Sequence, residues 1–267
     1  MGLKMVERLG IGEADEYRYD RSKRIPWLDL DSIFKANVLM VGAGALGNEV
    51  GKNLALSGFR NITVVDMDRV VGSNLNRCLF FTTEDATLRR SKAEAVCRGI
   101  STLSPEVVPR AITSRIEDCG DEPFQETDVV LGCLDNINAR IHVNAHAYHA
   151  GKVYVDGGME GFLGKVMVSV PPDGACLQCG MNRTHAKVAQ LRFSCTGADV
   201  VFHEPRVGAE ITTTSVISAI MVREALKTVT GRKDMVISNA LYYDGQRNVC
   251  EEMEIAVDPG CPVHGKR

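Results

Sequence analysis

Val38-Leu39-Met40-Val41-Gly42-Ala43-Gly44-Ala45-Leu46-Gly47 runs four apolar residues straight into a Gly-x-Gly-x-x-Gly pattern. A short continuous apolar run flanked by Asn37 and Gly42 reads as a strand buried on both faces. Ala45 to Ser57 then reads as a helix, and Gly58 supplies its stop. Glycines at 42, 44 and 47 allow a tight turn and a close backbone approach, and the helix start offers unpaired N–H groups to a phosphate. The next strand, Ile62-Thr63-Val64-Val65-Asp66, ends about 20 residues on in a carboxylate placed to hold ribose hydroxyls. These features alone favour a nucleotide site over a structural glycine turn, with NAD as the leading ligand.

Outward from this unit the pattern repeats. Arg90 to Leu103 reads as a helix, Val107 to Ile112 and Asp128 to Leu134 as strands, and a further helix runs to about Ala150. Alternating strands and helices call for an α/β, Rossmann-like, mainly parallel sheet with helices on both faces. After Val153-Tyr154-Val155-Asp156 the chain becomes Gly-rich, with a strand over Lys165 to Val170. Residues 182–206 have no clean periodicity and read as a loop or crossing element. Glu210 to Thr228 is a long helix, and Met235 to Tyr243 and Val249 to Val257 form an antiparallel C-terminal extension around Asp244-Gly245. The expected division is an N-terminal helical segment, 1–36, and one domain over 37–267.

The residues behind Asp66 change the choice of nucleotide. Asp68, Asn74, Asn76, Arg77 and Lys92 place cations and polar groups near the ribose-binding acid, and Asp135 with Asn136 follows the fourth strand. The carboxyl ends of parallel strands converge at the switch point of such a sheet, so these side chains are expected to meet over one ligand. A dinucleotide needs no metal, whereas a triphosphate attacked by a carboxylate needs cations and a carboxylate to hold Mg²⁺. Arg77 or Lys92 alone reads as a solvated charge. Together they point to ATP.

Lys52-Asn53-Leu54-Ala55-Leu56-Ser57-Gly58-Phe59-Arg60, Asp66-Met67-Asp68, Ser73-Asn74-Leu75-Asn76-Arg77 and Asp156-Gly157-Gly158-Met159-Glu160-Gly161-Phe162 closely resemble the ubiquitin-activating enzyme superfamily. Its bacterial branch includes the adenylyltransferases of molybdopterin and thiamine synthesis. The resemblance runs from about Arg18 to His264. It implies that 37–267 is an adenylation domain, with adenine and phosphate on the Gly42–Gly47 loop and ribose on Asp66. It further implies phosphate contacts from Asn76, Arg77 and Lys92, and Mg²⁺ at Asp135. Arg18-Tyr19-Asp20-Arg21 is similar to a family segment in which an arginine reaches the neighbouring subunit's ATP; Arg21 is the match, and a homodimer is implied. Cys78 departs from the glutamine usual after the arginine.

Nine cysteines, an odd number, argue for thiols or metal ligands rather than a disulfide framework. Cys78, Cys97, Cys119, Cys133 and Cys250 are expected to be small buried hydrophobes. Cys176-Leu177-Gln178-Cys179 is a metal half-site, and Cys261-Pro262-Val263-His264 offers a second pair at the same spacing. Together they suit a closed tetrahedral zinc shell, structural rather than catalytic. A redox Cys-x-x-Cys is the competing reading. The family carries two Cys pairs here, so His264 is a departure.

Phe193-Ser194-Cys195-Thr196 resembles the Cys-Thr pair of ubiquitin-type activating enzymes, whose cysteine takes the activated carboxylate as a thioester. His185, Arg192, His203 and Arg206 are near in sequence and would favour a thiolate if near in space. A plain loop cysteine is the alternative, since molybdopterin-type relatives adenylate without a thioester. His142, His146 and His149 recur near helical spacing and read as packed or solvated histidines.

Hydrophobic residues at 45% and charged residues at 24% are ordinary for a folded soluble protein. A net charge of −3 gives no global attraction to nucleic acid or anionic lipid. With no long apolar run and no leader or myristoylation signal, cytoplasmic residence is expected. The reading is therefore ATP- and Mg²⁺-dependent adenylation of the C-terminal Gly carboxylate of a ubiquitin-like protein ending in Gly-Gly, then transfer to Cys195 for a conjugating enzyme. The alternatives are an adenylyltransferase for sulfur carriers, activation of a tRNA base's carboxylate, and a non-catalytic nucleotide-binding scaffold.

Overall fold

Parallel pairing organises the N-terminal half of the sheet. The computed structural model describes residues 15–181 and 208–264. Its strands are β1 (Asn37–Val41), β2 (Asn61–Val65), β3 (Val108–Ile112), β4 (Val129–Gly132), β5 (Val153–Glu160), β6 (Leu163–Ser169), β7 (Ala240–Asp244) and β8 (Val249–Met253). They form one eight-stranded sheet in the order β3-β2-β1-β4-β5-β6-β7-β8. β1 to β5 pair in parallel, and β6 to β8 continue antiparallel. The switch point falls between β1 and β4, beside the glycine turn.

Among the described residues the α-helices are α1 (Asp20–Lys23), α2 (Leu30–Lys35), α3 (Ala45–Ser57), α4 (Thr83–Thr87), α5 (Lys92–Leu103), α6 (Glu122–Gln125), α7 (Ile137–His149) and α8 (Ile211–Val229). One buried layer joins α3, α5 and α8 residues such as Val50, Leu54, Val96, Ile100, Ile217 and Met221 to the sheet. The opposite layer joins Phe124 of α6 and Val143 and Ala147 of α7 to Leu39, Val41 and Val130. Burying both faces explains why β1 and β4 read as unbroken apolar runs. The N-terminal helices are bound to the same core, because Tyr19 packs on Phe34 (ring centroids 5.2 Å apart) and is buried.

The open edge at β3 is blunted. Val108 N–H bonds inward to Arg60 O at 2.9 Å, so by alternation the missing N–H of Pro109 falls on the outer side.

Some expected boundaries shift. α5 and α8 begin at Lys92 and Ile211, with Ser91 and Glu210 as side-chain N-caps. β4 stops at Gly132, because the chain turns out to the Asn136 cap of α7. The strand expected from Met235 starts only at Ala240: Asn239 sits at φ 80°, which an extended strand excludes. β8 ends at Met253 instead of Val257. Cys250 is exposed, contrary to the buried reading, because every residue of edge strand β8 faces solvent. Cys78, Cys97 and Cys133 are buried as expected, and Cys119 is half-buried. Among the described residues no helix is long and apolar enough to cross a membrane.

Candidate functional site

The turn between β1 and α3 is built by steric necessity. Gly42 sits at φ 100°, and a Cβ there would lie 2.4 Å from Cys133 O, at the end of β4. A Cβ on Gly47 would lie 2.1 Å from Gly42 O. Both positions therefore require glycine. Gly44 differs: its Cβ would meet nothing within 4 Å, so this glycine faces open space at the N-cap of α3. No side chain caps that helix start, which leaves its N–H groups for an anion.

Asp66 reaches this turn from the end of β2. Its Oδ2 accepts the Ala43 N–H at 2.7 Å and its Oδ1 accepts the Asp68 N–H at 2.7 Å. Burial pushes its carboxyl pKa up, opposed by the Ala43 N–H and the Lys92 charge. Lys92, at the first position of α5, forms an ion pair with Asp68 at 2.7 Å. Ala43, Asp66, Asp68 and Lys92 thus form one bonded chain.

Arg77 lies on the segment that follows. It donates to Ser73 O at 2.5 Å and to Asn76 Oδ1 at 3.0 Å, and Asn74 Oδ1 accepts the Val71 N–H at 3.1 Å. Burial raises the neighbouring Cys78 thiol to about 11, so it is an inert packing residue. Asp135 is exposed just past β4, while Asn136 caps α7 by accepting from Asn138 and Ala139. Asp135 makes none of the hydrogen bonds that join Asp66, Asp68 and Lys92. Arg21 points to solvent, 86% exposed, and pairs with Asp15 at 2.7 Å.

Two groups of buried polar residues were not anticipated. Asn48, immediately after the third glycine, is fully buried beneath the turn. Arg140 of α7 forms an ion pair with Asp156 of β5, whose Oδ1 also accepts the Tyr154 hydroxyl at 2.7 Å. The signal was present: an Asn in the first turn of a core helix, and a charged residue inside an apolar strand.

The second cluster joins two distant stretches. The ligand atoms of Cys176, Cys179, Cys261 and His264 all lie within 4.8 Å of one another. Cys176 Sγ is 3.8 Å from Cys179 Sγ and 3.6 Å from Cys261 Sγ, and His264 Nε2 is 3.3 Å from Cys179 Sγ. Zinc–sulfur bonds near about 2.3 Å give tetrahedral edges of roughly 3.8 Å, so the donors fit a zinc ion. Tyr148 sets the imidazole by meeting His264 Nδ1 at 3.0 Å, which leaves Nε2 toward the sulfurs. The buried Asn144 Nδ2 faces the Cys176 sulfur, a donor that a metal-bound thiolate would use. Burial pushes the Cys261 thiol up to about 12, so a bound cation would be what keeps that sulfur ionised.

Cys195 and the nearby His185, Arg192, His203 and Arg206 lie outside the described residues, as does the whole of 182–206. His142 and His146 are packed: their ring centroids are 4.1 Å apart, His146 stacks on Phe124, and its Nδ1 meets Asp121 at 2.6 Å. His149 is exposed.

Sheet order and glycine turn define a Rossmann-like α/β protein with an antiparallel extension and a Cys₃His cluster. The chain belongs to the ThiF family, whose model matches residues 19–263. It is 34% identical over 181 residues to the NEDD8-activating enzyme E1 catalytic subunit of Caenorhabditis elegans, covering 61% of this chain and 42% of that protein. It is 28% identical over 261 residues to the molybdopterin-synthase adenylyltransferase of Escherichia coli K12, covering 96% and 99%. The chain spans less than half the length of the NEDD8-type relatives it matches. In fold it is similar to E. coli MccB, solved with SeMet MccA, at a TM-score of 0.76 and 21% identity over 95% of this chain and 75% of that one.

Proposed function

We propose that this chain uses MgATP to adenylate the C-terminal Gly carboxylate of a ubiquitin-like protein ending in Gly-Gly, then takes the acyl group onto the Cys195 thiolate with release of AMP, for passage to a conjugating enzyme. The observation that carries the adenylation is the bonded chain from the Ala43 N–H through Asp66 and Asp68 to Lys92. It ties the phosphate-facing turn, a ribose-binding acid and a cation into one unit. In this reading the carboxylate attacks the α-phosphate and pyrophosphate leaves. The N–H groups of Ala45, Leu46 and Gly47 with Arg77 and Lys92 stabilise the shifting charge. Asn74 and Asn76 orient the phosphate side, and Asp135 would hold Mg²⁺, which neutralises phosphate oxygens when bound. Arg21 would act on the partner subunit's nucleotide in a homodimer, and the zinc shell would pin the C-terminal strands. The place of work would be the cytoplasm.

A second reading stops at the adenylate and serves a sulfur carrier. It is favoured by the molybdopterin-type relative, which matches this chain along nearly its whole length.

Pyrophosphate exchange into ATP that depends on a Gly-Gly-ended ubiquitin-like or sulfur-carrier protein tests both. Exchange independent of any such protein, or none with a broad panel, would reject them. Non-reducing gels then separate the two readings: a DTT-labile adduct lost in Cys195→Ala supports the thioester, and adenylation with no adduct supports the sulfur carrier.

A further inference from the structure

Asn48 is an amide whose two donors and whose oxygen are all engaged at the site. Its Nδ2 donates to Ala43 O at 3.0 Å and to Gly44 O at 2.9 Å, and its Oδ1 accepts the Phe80 N–H at 2.9 Å. The side chain is fully buried, and its own backbone N–H also bonds to Gly44 O at 2.9 Å. Two facts about loops make this matter. Carbonyl oxygens that face a triphosphate repel it, whereas N–H groups attract it. A turn can present its N–H groups only if its carbonyls are held elsewhere, and glycines alone do not choose between those orientations.

We infer that Asn48 is a positioning residue for the nucleotide phosphates: its amide turns the Ala43 carbonyl away from the ligand, adds a second donor to the Gly44 carbonyl that the helix backbone already holds, and locks the glycine turn to the Arg77-bearing segment through Phe80. The inference rests on the reading that the turn binds ATP. Arg77 sits three residues before Phe80, on a stretch whose other bonds, Arg77 N–H to Asn74 O and Cys78 N–H to Asn74 O, are local. Asn48 is therefore the side chain that relates the arginine's segment to the turn. Among the described residues four hold the turn: Val65 O accepts the Gly42 N–H, Cys133 O packs on Gly42, Asp66 takes the Ala43 N–H, and Asn48 takes two carbonyls, that of Gly44 through its backbone N–H as well. The first three constrain the start of the turn. Among the described residues only Asn48 acts on the carbonyl side, and its side chain alone holds the Ala43 carbonyl.

Asn48 touches no part of the ligand in this scheme. Its loss should affect the phosphate subsite and spare the nucleoside subsite, whereas a general loss of stability would weaken both. The test is calorimetry of MgATP and adenosine on the full chain and on Asn48→Ala, with Asn48→Ser as a second variant whose hydroxyl restores one carbonyl bond. The expected result is ATP affinity weakened about tenfold or more in Asn48→Ala and less in Asn48→Ser, with adenosine within about twofold of the parent. Equal loss for both ligands, or no loss for ATP, overturns the inference while the parent's ATP binding leaves the proposed function standing. If Asn48→Ala fails to fold, the Asn48→Ser ratio of ATP to adenosine affinity decides. A parent chain that takes up neither ligand removes the proposed function, and this inference with it.

Discussion

Arg140 Nε lies 3.0 Å from Asp156 Oδ1 across the gap between α7 and β5, where the carboxylate is only 1% exposed. A charge so deep is tolerated because the guanidinium and the Tyr154 hydroxyl answer it. Truncating Arg140→Ala would strand the carboxylate, at a cost of about 3–5 kcal/mol. Thermal melts should show a fall of about 10 °C, and Arg140→Leu with Asp156→Asn should recover part of it.

Glycines 42 and 44 should part company on substitution. Gly42→Ala meets both a left-handed backbone and Cys133 O at 2.4 Å, so a loss of about 2–4 kcal/mol is expected by chemical denaturation. Gly44→Ala meets nothing in the protein and should melt like the parent. A methyl in the phosphate's path should nonetheless weaken ATP binding, measured by calorimetry.

Arg77→Ala and Lys92→Ala remove charges that contribute little to folding, since the Lys92–Asp68 pair has a half-exposed carboxylate. Pyrophosphate exchange should fall about 10²–10³-fold in each, with melting temperatures nearly unchanged. Exchange at parental rates would show that neither side chain serves the reaction.

Acid stability should depend on Asp85. Burial alone would raise its carboxyl, but the Thr82 N–H and hydroxyl and the Arg90 and Arg98 guanidinium groups hold it down to about 2. A depressed folded-state pKa means the stabilisation is fully present above the unfolded value of 3.8 and is lost as pH falls toward about 2. The contribution is about 2 kcal/mol. Asp85→Asn should be less stable at pH 7 and show a flatter decline between about pH 4 and 2, followed by denaturant midpoints.

Metal analysis should find one zinc per chain, and prolonged chelation should lower the melting temperature by about 10 °C. Cys261→Ser should abolish the zinc. His264→Cys should retain it, because a fourth thiolate can take the place of the imidazole nitrogen.

Local chemistry wrote much of this protein into its sequence. The strand, glycine turn and helix over 38–58 are legible because apolar runs, positive-φ glycine and helix stops act within a few residues. The two metal half-sites were legible as pairs for the same reason. What sequence could not decide was which distant atoms share a place. Residues 176–179 and 261–264 become one shell only through the antiparallel extension that carries β7 and β8 back past the domain. Asn48 gains its meaning from Phe80, 32 residues away, and Lys92 its partner from Asp68, 24 residues back. Cys250 is exposed where its sequence context suggests burial, because burial depends on the layers packed against a strand, and every residue of edge strand β8 is exposed. Propensity and turn chemistry are short-range and so survive in the linear chain; pairing of buried polar groups is long-range, and only the folded sheet, by bringing the carboxyl ends of its strands together, decides it.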